Sequence, residues 1–354
     1  MSSKPRPRRP LPAIFGCAGP ELTPYECSFF TDIQPLGFIL MGRNCVNPAQ
    51  VRHLTAGLRA LLRHDKAPIF IDQEGGRVAR LKPPHWPKFP AAGTIGAIYE
   101  YDPALGVEAA GILGNLIGYE LRQLGITVNC APVLDLSYPE MHEVIGDRAF
   151  AADPAAVEVM GRAYAEGMLR QGVLPVIKHL PGHGRVCADP HHVLPVVTQE
   201  RSELEPDFAP FKHLAAMPIG MTSHILFKKI DPDNPASQSA FIINEIIRKQ
   251  IGFEGLLISD DLDMKALKGD LLCRSQQVLA AGTDLILVCN SGVAELTQIA
   301  TVLPPMSEAT WDRWDRAKEF LLPPSGPFDT VAANHRLDMI MAVMDLANQM
   351  NDSI

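Results

Sequence analysis

No apolar run in this 354-residue chain approaches the roughly 20 residues needed to span a bilayer, so no membrane role is expected. The opening MSSKPRPRRPLP is basic but lacks the apolar core of a secretory signal. Positive charge is also short. The 32 Lys and Arg stand against 40 Asp and Glu, a formal net charge of −8, which argues against a nucleic-acid partner held by a basic face. Seven cysteines, an odd number scattered along the chain, make no disulfide framework and point to a reducing, cytoplasmic compartment. There is no fixed-period repeat, no glycine-rich phosphate loop with lysine and no dinucleotide signature. What is present is an ordinary globular composition, 47% hydrophobic and 20% charged, with length enough to bury a large core.

Eight short apolar runs alternate with longer amphipathic stretches: Ala13–Gly16, Gly37–Leu40, Pro68–Asp72, Thr127–Val133, Pro175–His179, Ile219–His224, Leu256–Asp260 and Asp284–Cys289. Most are continuous rather than alternating, as strands buried on both faces are. Three of the intervening segments open on one signal, Asn47-Pro48, Asp102-Pro103 and Asp153-Pro154, an N-cap followed by proline at the first helical position. Gly125 and Gly172 stand where the second and third would end. Helices are also expected over 201–216, 241–250, 264–281 and 293–302. Eight buried strands separated by helices match an α/β barrel, whereas an open doubly wound sheet usually has fewer. The expected organisation is a single-domain (β/α)8 barrel over 13–302, a basic tail over 1–12, and a helical extension over 303–354 packed on the barrel.

Polar groups cluster where the predicted strands end: Asp72, Lys178 with His179, His224, Asp260 and Asn290. In a barrel those ends open onto one face, where catalysis sits. The long segment after the fifth strand, 178–192, carries four histidines and an aspartate. Asp189 and His191, two apart, suit an orienting carboxylate and a proton-transferring imidazole. His183, Cys187, Asp189 and His191 are the alternative, as metal ligands without regular spacing. Asp260, Asp261 and Asp263 crowd the end of the seventh strand, an arrangement that binds a divalent cation or splits into distinct roles. Asp260 is placed to face the mouth, and Asp263 to begin the next helix. Gly75-Gly76 reads as a close turn that brings Asp72 and Arg80 to one ligand. Arg148, in the loop after strand four, is placed to offer a hydrogen-bond fork to substrate.

DQEGGRVAR at 72–80, IGDRAF at 145–150, KHLPGHG followed by Asp189-x-His191, and SDDLDM at 259–264 resemble, in this order, motifs of the β-N-acetylhexosaminidases of glycoside hydrolase family 3. The resemblance is to the bacterial single-domain enzymes of peptidoglycan recycling and covers about residues 13–300. It implies a TIM barrel that hydrolyses non-reducing terminal β-linked N-acetylglucosamine with retention, on muropeptide substrates. It implies Asp260 as nucleophile, His191 as acid/base, Asp189 as its partner, and Asp72, Arg80, Arg148, Lys178 and His179 as sugar-binding positions. No cofactor or metal is implied, the partner is the small-molecule sugar alone, and a monomer is expected. Pro190 departs from the family, which commonly has Ser or Thr there. The competing readings are a phosphorylase on the same scaffold, a non-catalytic sugar-binding barrel, and a metal-dependent hydrolase.

Overall fold

The computed structural model describes residues 9–64, 66–138, 144–186, 193–324 and 326–351, the side chains of 345–351 excepted. Eight parallel strands close into a barrel in chain order. They are β1 (Leu11–Gly16), β2 (Pro35–Leu40), β3 (Ile69–Ile71), β4 (Val128–Asn129), β5 (Leu174–Leu180), β6 (Ile219–Thr222), β7 (Leu256–Asp261) and β8 (Leu285–Val288). Closure is made by β8 against β1, with Ala13 opposite Ile286 and Phe15 opposite Val288. Every residue of β2, β3, β5, β6 and β8 is buried, which is why these strands read as unbroken apolar runs. Ile14, Ile39, Phe70, Val176, Met221 and Ile258 fill the interior. Their neighbours Phe15, Phe38, Ile71 and Ile177 face the helices outside.

Strands β3, β4, β6 and β8 are shorter than the apolar runs suggested, β4 most of all. The regular part of β4 ends at Asn129; beyond it Cys130 still donates to the Ile71 carbonyl and the Ala131 and Pro132 carbonyls accept from Val176 and Lys178, but Pro132 has no N–H to give, and Val133 forms an isolated bridge to Lys178. Beyond β3, Gln73 donates its N–H to the Asn129 side chain instead of the neighbouring backbone.

Asn47, Asp102 and Asp153 each accept a backbone N–H in the first turn of their helices, Pro48–Ala60, Pro103–Gln123 and Pro154–Arg170. Gly125 and Gly172, both at positive φ, follow the second and third. A helix at Pro24–Ile33 was not anticipated, although Thr23 and Glu26 form its capping box. Residues 201–216 divide into a 3-10 turn at Arg201–Leu204 and an α-helix at Glu205–His213. Residues Ile242–Gln250 wind as a π-helix. The helix expected over 264–281 begins only at Leu271, capped by Asp270. Arg274 donates to the carbonyls of Leu262, Met264 and Gly269, holding the preceding segment as a loop.

Beyond β8 and the helix Val293–Ala300, the helix Glu308–Glu319 closes the amino-terminal end of the barrel. Trp314, fully buried, joins Met306 and Ala317 in the interior cluster beside Leu36, Leu174 and Leu285. Asp284 fastens this lid, accepting from Arg313 at 2.9 Å, Arg248 at 2.8 Å and Thr310 at 3.2 Å. The last helix, Thr330–Asn351, lies along Pro103–Gln123 through Arg336 and Glu108. At the other terminus β1 begins at Leu11, inside the span read as tail, because the Leu11 N–H bonds the Gln34 carbonyl and the Pro10 carbonyl accepts from Met306.

Candidate active site

The carboxyl ends of the strands form the opposite rim. Asp72 follows β3, Lys178 and His179 lie at the end of β5, His224 follows β6, Asp260 stands at the end of β7 and Asn290 follows β8.

The turn after β3 is built around Gln73. Its backbone is gripped by Asn129, which accepts the Gln73 N–H and donates to the Gln73 carbonyl, both at 2.9 Å. Its side-chain oxygen accepts the N–H groups of Arg80 and Leu81. Gly75 and Gly76 close the turn at φ 104° and 56°. A Cβ on Gly75 would lie 2.3 Å from the Pro90 carbonyl oxygen, so a larger residue is excluded. The fold-back brings the Arg80 guanidinium to 3.0 Å from the Asp72 carboxylate.

Lys178 rises from β5 into this cluster. Its ammonium is 2.6 Å from Glu74 Oε1 and 3.2 Å from Asp72 Oδ1. Arg148 turns its Nε and Nη2 edge onto both oxygens of Glu74, at 2.9 and 2.8 Å, and donates Nη1 to the Val144 carbonyl. The fork expected to meet substrate is therefore engaged by Glu74, a residue not singled out from the sequence. Burial alone would raise the Asp72 and Glu74 carboxyls, but the cations outweigh it: Lys178 and Arg80 hold Asp72 low, and Arg148 and Lys178 hold Glu74 well below the carboxylate range. Burial would likewise lower Lys178, but Glu74 and Asp72 raise it, so all these groups are charged.

His179 is oriented by Asp135, a carboxylate only 1% exposed and also absent from the sequence candidates. Asp135 Oδ2 lies 2.6 Å from His179 Nδ1, and Oδ1 accepts the backbone N–H groups of His179 and His183. This bond makes Nδ1 the protonated nitrogen and leaves Nε2 for another partner. His183 packs its ring 5.3 Å from that of His179. Burial first, then the neighbouring His179, pushes it down to about 4, so it is neutral. His224 is fully buried against Ser237 Oγ and the Asp261 carbonyl.

The three acids after β7 divide into separate roles. Asp260 takes one hydrogen bond among the described residues, from the Asp261 N–H at 2.8 Å. Burial would raise it, but His179 and His224 outweigh that and hold it below the usual range, as an anion. Asp261 accepts the Cys289 N–H and the Asn290 amide, and Asp263 accepts the N–H groups of Asn290 and Ser291. Asp263 thus ties down the loop after β8 and does not start a helix, the cap belonging to Asp270.

Asp72, Arg80, Arg148 and Lys178 are therefore joined in one charged cluster through Glu74. His179 stands next to Lys178 in the chain, and Asp260 faces it from β7. Asp189, His191, Pro190 and Cys187 lie outside the described residues. A partly buried, ionised carboxylate among fixed charged donors and acceptors suits attack on a neutral, hydroxyl-rich substrate.

The family profile for the glycosyl hydrolase family 3 N terminal domain matches residues 29–315. The beta-hexosaminidase of Bordetella avium is 38% identical over 294 residues, which are 82% of this chain and 83% of that protein. That of Alkalilimnicola ehrlichii is 39% identical over 284 residues, 79% of this chain and 80% of that one. Among solved structures, NagZ from Neisseria gonorrhoeae in complex with N-trifluoroacetyl-D-glucosamine superposes with a TM-score of 0.85 at 31% identity, covering 94% of this chain and 99% of that chain. A glycoside hydrolase family 3 beta-N-acetylglucosaminidase from Paenibacillus sp. str. FPU-7 gives 0.81 at 29% identity, covering 93% and 66%.

Proposed function

The chain belongs to glycosyl hydrolase family 3 and is a glycoside hydrolase of the beta-hexosaminidase type, and from that premise we propose that it releases terminal β-linked N-acetylglucosamine from muropeptides with retention. Asp260 attacks the anomeric carbon and forms a glycosyl–aspartyl ester. His191, oriented by Asp189, protonates the leaving oxygen and then deprotonates the water that cleaves the ester. Asp72, Arg80, Arg148, Lys178 and His179 hold the sugar. The observation that supports this most is the state of Asp260: ionised, at a strand end on the rim, and bonded by one N–H among the described residues. Such a carboxylate is free to act as a nucleophile. The scheme uses no cofactor. It is assigned to the barrel of a monomeric cytoplasmic protein, with 303–354 as a structural extension.

Turnover of a muropeptide carrying terminal N-acetylglucosamine, with the products identified by mass spectrometry, tests the proposal. Free N-acetylglucosamine, in equal amount with and without phosphate, is the expected product. Sugar 1-phosphate would make the protein a phosphorylase, and no turnover of either the muropeptide or a chromogenic N-acetylglucosaminide would make it a binding barrel.

A further inference from the structure

Glu74 is 8% exposed, and its two oxygens accept three hydrogen bonds, two from Arg148 and one from Lys178. Three of its roughly four acceptor sites are therefore taken by these two cations, so its main work is to hold them. Its oxygens also join two rim elements far apart in the chain, the 3-10 turn Gly146–Arg148 after β4 and the end of β5. Around it stand three cations, Arg80, Arg148 and Lys178, and the Asp72 carboxylate, with Asp135 and Asp260 acting on Arg148 and Lys178 from further away. Without Glu74 the three cations would keep, among the described residues, Asp72 as the one carboxylate bonded to them, and the site would be one charge more positive. A pocket of that charge favours a small anion over a neutral sugar, because desolvated cations bind phosphate-like oxyanions strongly.

We propose that Glu74 is a positioning residue that aims Arg148 and Lys178 and keeps the pocket selective for neutral sugar over small oxyanions. The inference deepens the proposed function and rests on it for the identity of the sugar. It names the residue that excludes inorganic phosphate, the competing nucleophile in a phosphorolytic reaction, from a site rich in cations.

Glu74→Gln keeps the shape and removes the charge. The parent should show no binding of millimolar inorganic phosphate by titration calorimetry, while Glu74→Gln should bind it and lose affinity for N-acetylglucosamine by about tenfold. KM for an N-acetylglucosaminide should rise by a similar factor, with phosphate now a competitive inhibitor. Glu74→Asp, with the charge kept, should remain indifferent to phosphate. The Glu74→Gln, Arg148→Gln double variant, with one cation also removed, should return most of the way to indifference. Folded Glu74→Gln with unchanged phosphate binding and unchanged KM would overturn the inference. So would phosphate binding of equal strength in Glu74→Asp. If the parent binds no N-acetylglucosamine at all, the proposed function fails, and the phosphate titrations still decide the role of Glu74.

Discussion

Replacing Asp135 by asparagine exchanges a charged acceptor for a neutral donor in the centre of the site. The carboxylate takes His179 Nδ1 at 2.6 Å through one oxygen and two backbone N–H groups through the other. An asparagine can keep its oxygen on the two N–H groups, so the loop before His183 should stay in place. Its amide nitrogen then faces His179 Nδ1 and donates where the carboxylate accepted. The imidazole must answer by moving its proton to Nε2, reversing the role it presents to the sugar. A lost hydrogen bond to a charged partner is worth about 1.5–3 kcal/mol, which corresponds to a fall of about 10- to 150-fold in kcat/KM. Asp135→Ala also strands the two N–H groups and should cost a further ~2 kcal/mol of stability, read from the urea midpoint. The assay is hydrolysis of a chromogenic N-acetylglucosaminide, with nitrogen-15 shifts of the imidazoles reporting the tautomer. Folded Asp135→Asn with kcat/KM within about twofold of the parent and an unchanged His179 tautomer would refute the reasoning.

Three other outcomes are expected. His191→Ala should form the glycosyl-enzyme at a nearly normal rate from a dinitrophenyl glycoside and very slowly from a disaccharide, with a burst; equal losses on both substrates would remove His191 from the acid/base role. Trp314→Ala should lower stability by about 3–5 kcal/mol in denaturant melts, through the cavity left at the closed end of the barrel, with little change in KM. Burial and then the neighbouring Asp263 push Asp261 from 3.8 up to about 7, so the folded state binds the extra proton between those values and loses that stability as pH rises through the window. Asp261→Asn, a mimic of the protonated acid, should therefore gain stability relative to the parent from about pH 4 to pH 7, and a difference independent of pH in urea melts would contradict this assignment.

The barrel was legible because its strands are buried on both faces, a condition that writes itself as continuous apolar runs of five or so residues. The capping asparagine and aspartates at 47, 102 and 153 were legible because they act within one turn of themselves. The late start at Leu271 was not, because it depends on Arg274 reaching back to three loop carbonyls. The same distinction divides the site. Asp72, Lys178, His179 and Asp260 announce themselves as polar residues at the ends of apolar strands. Glu74 stood inside a quoted motif, yet its partners lie 74 and 104 positions away, so nothing local marks it as the link between them. Asp135 lies in VLDLSY after β4, where its burial and its bonds to His179 and His183 depend on the closing of the barrel.

The central claim, that Asp260 attacks the sugar, is tested most directly by trapping the intermediate. A fluorinated N-acetylglucosaminyl donor that slows the second step should leave one sugar on the protein, and peptide mass spectrometry should place it on Asp260 and find none on Asp260→Asn. A sugar on Asp261 or Asp263, or release of product with inverted configuration, would contradict the account.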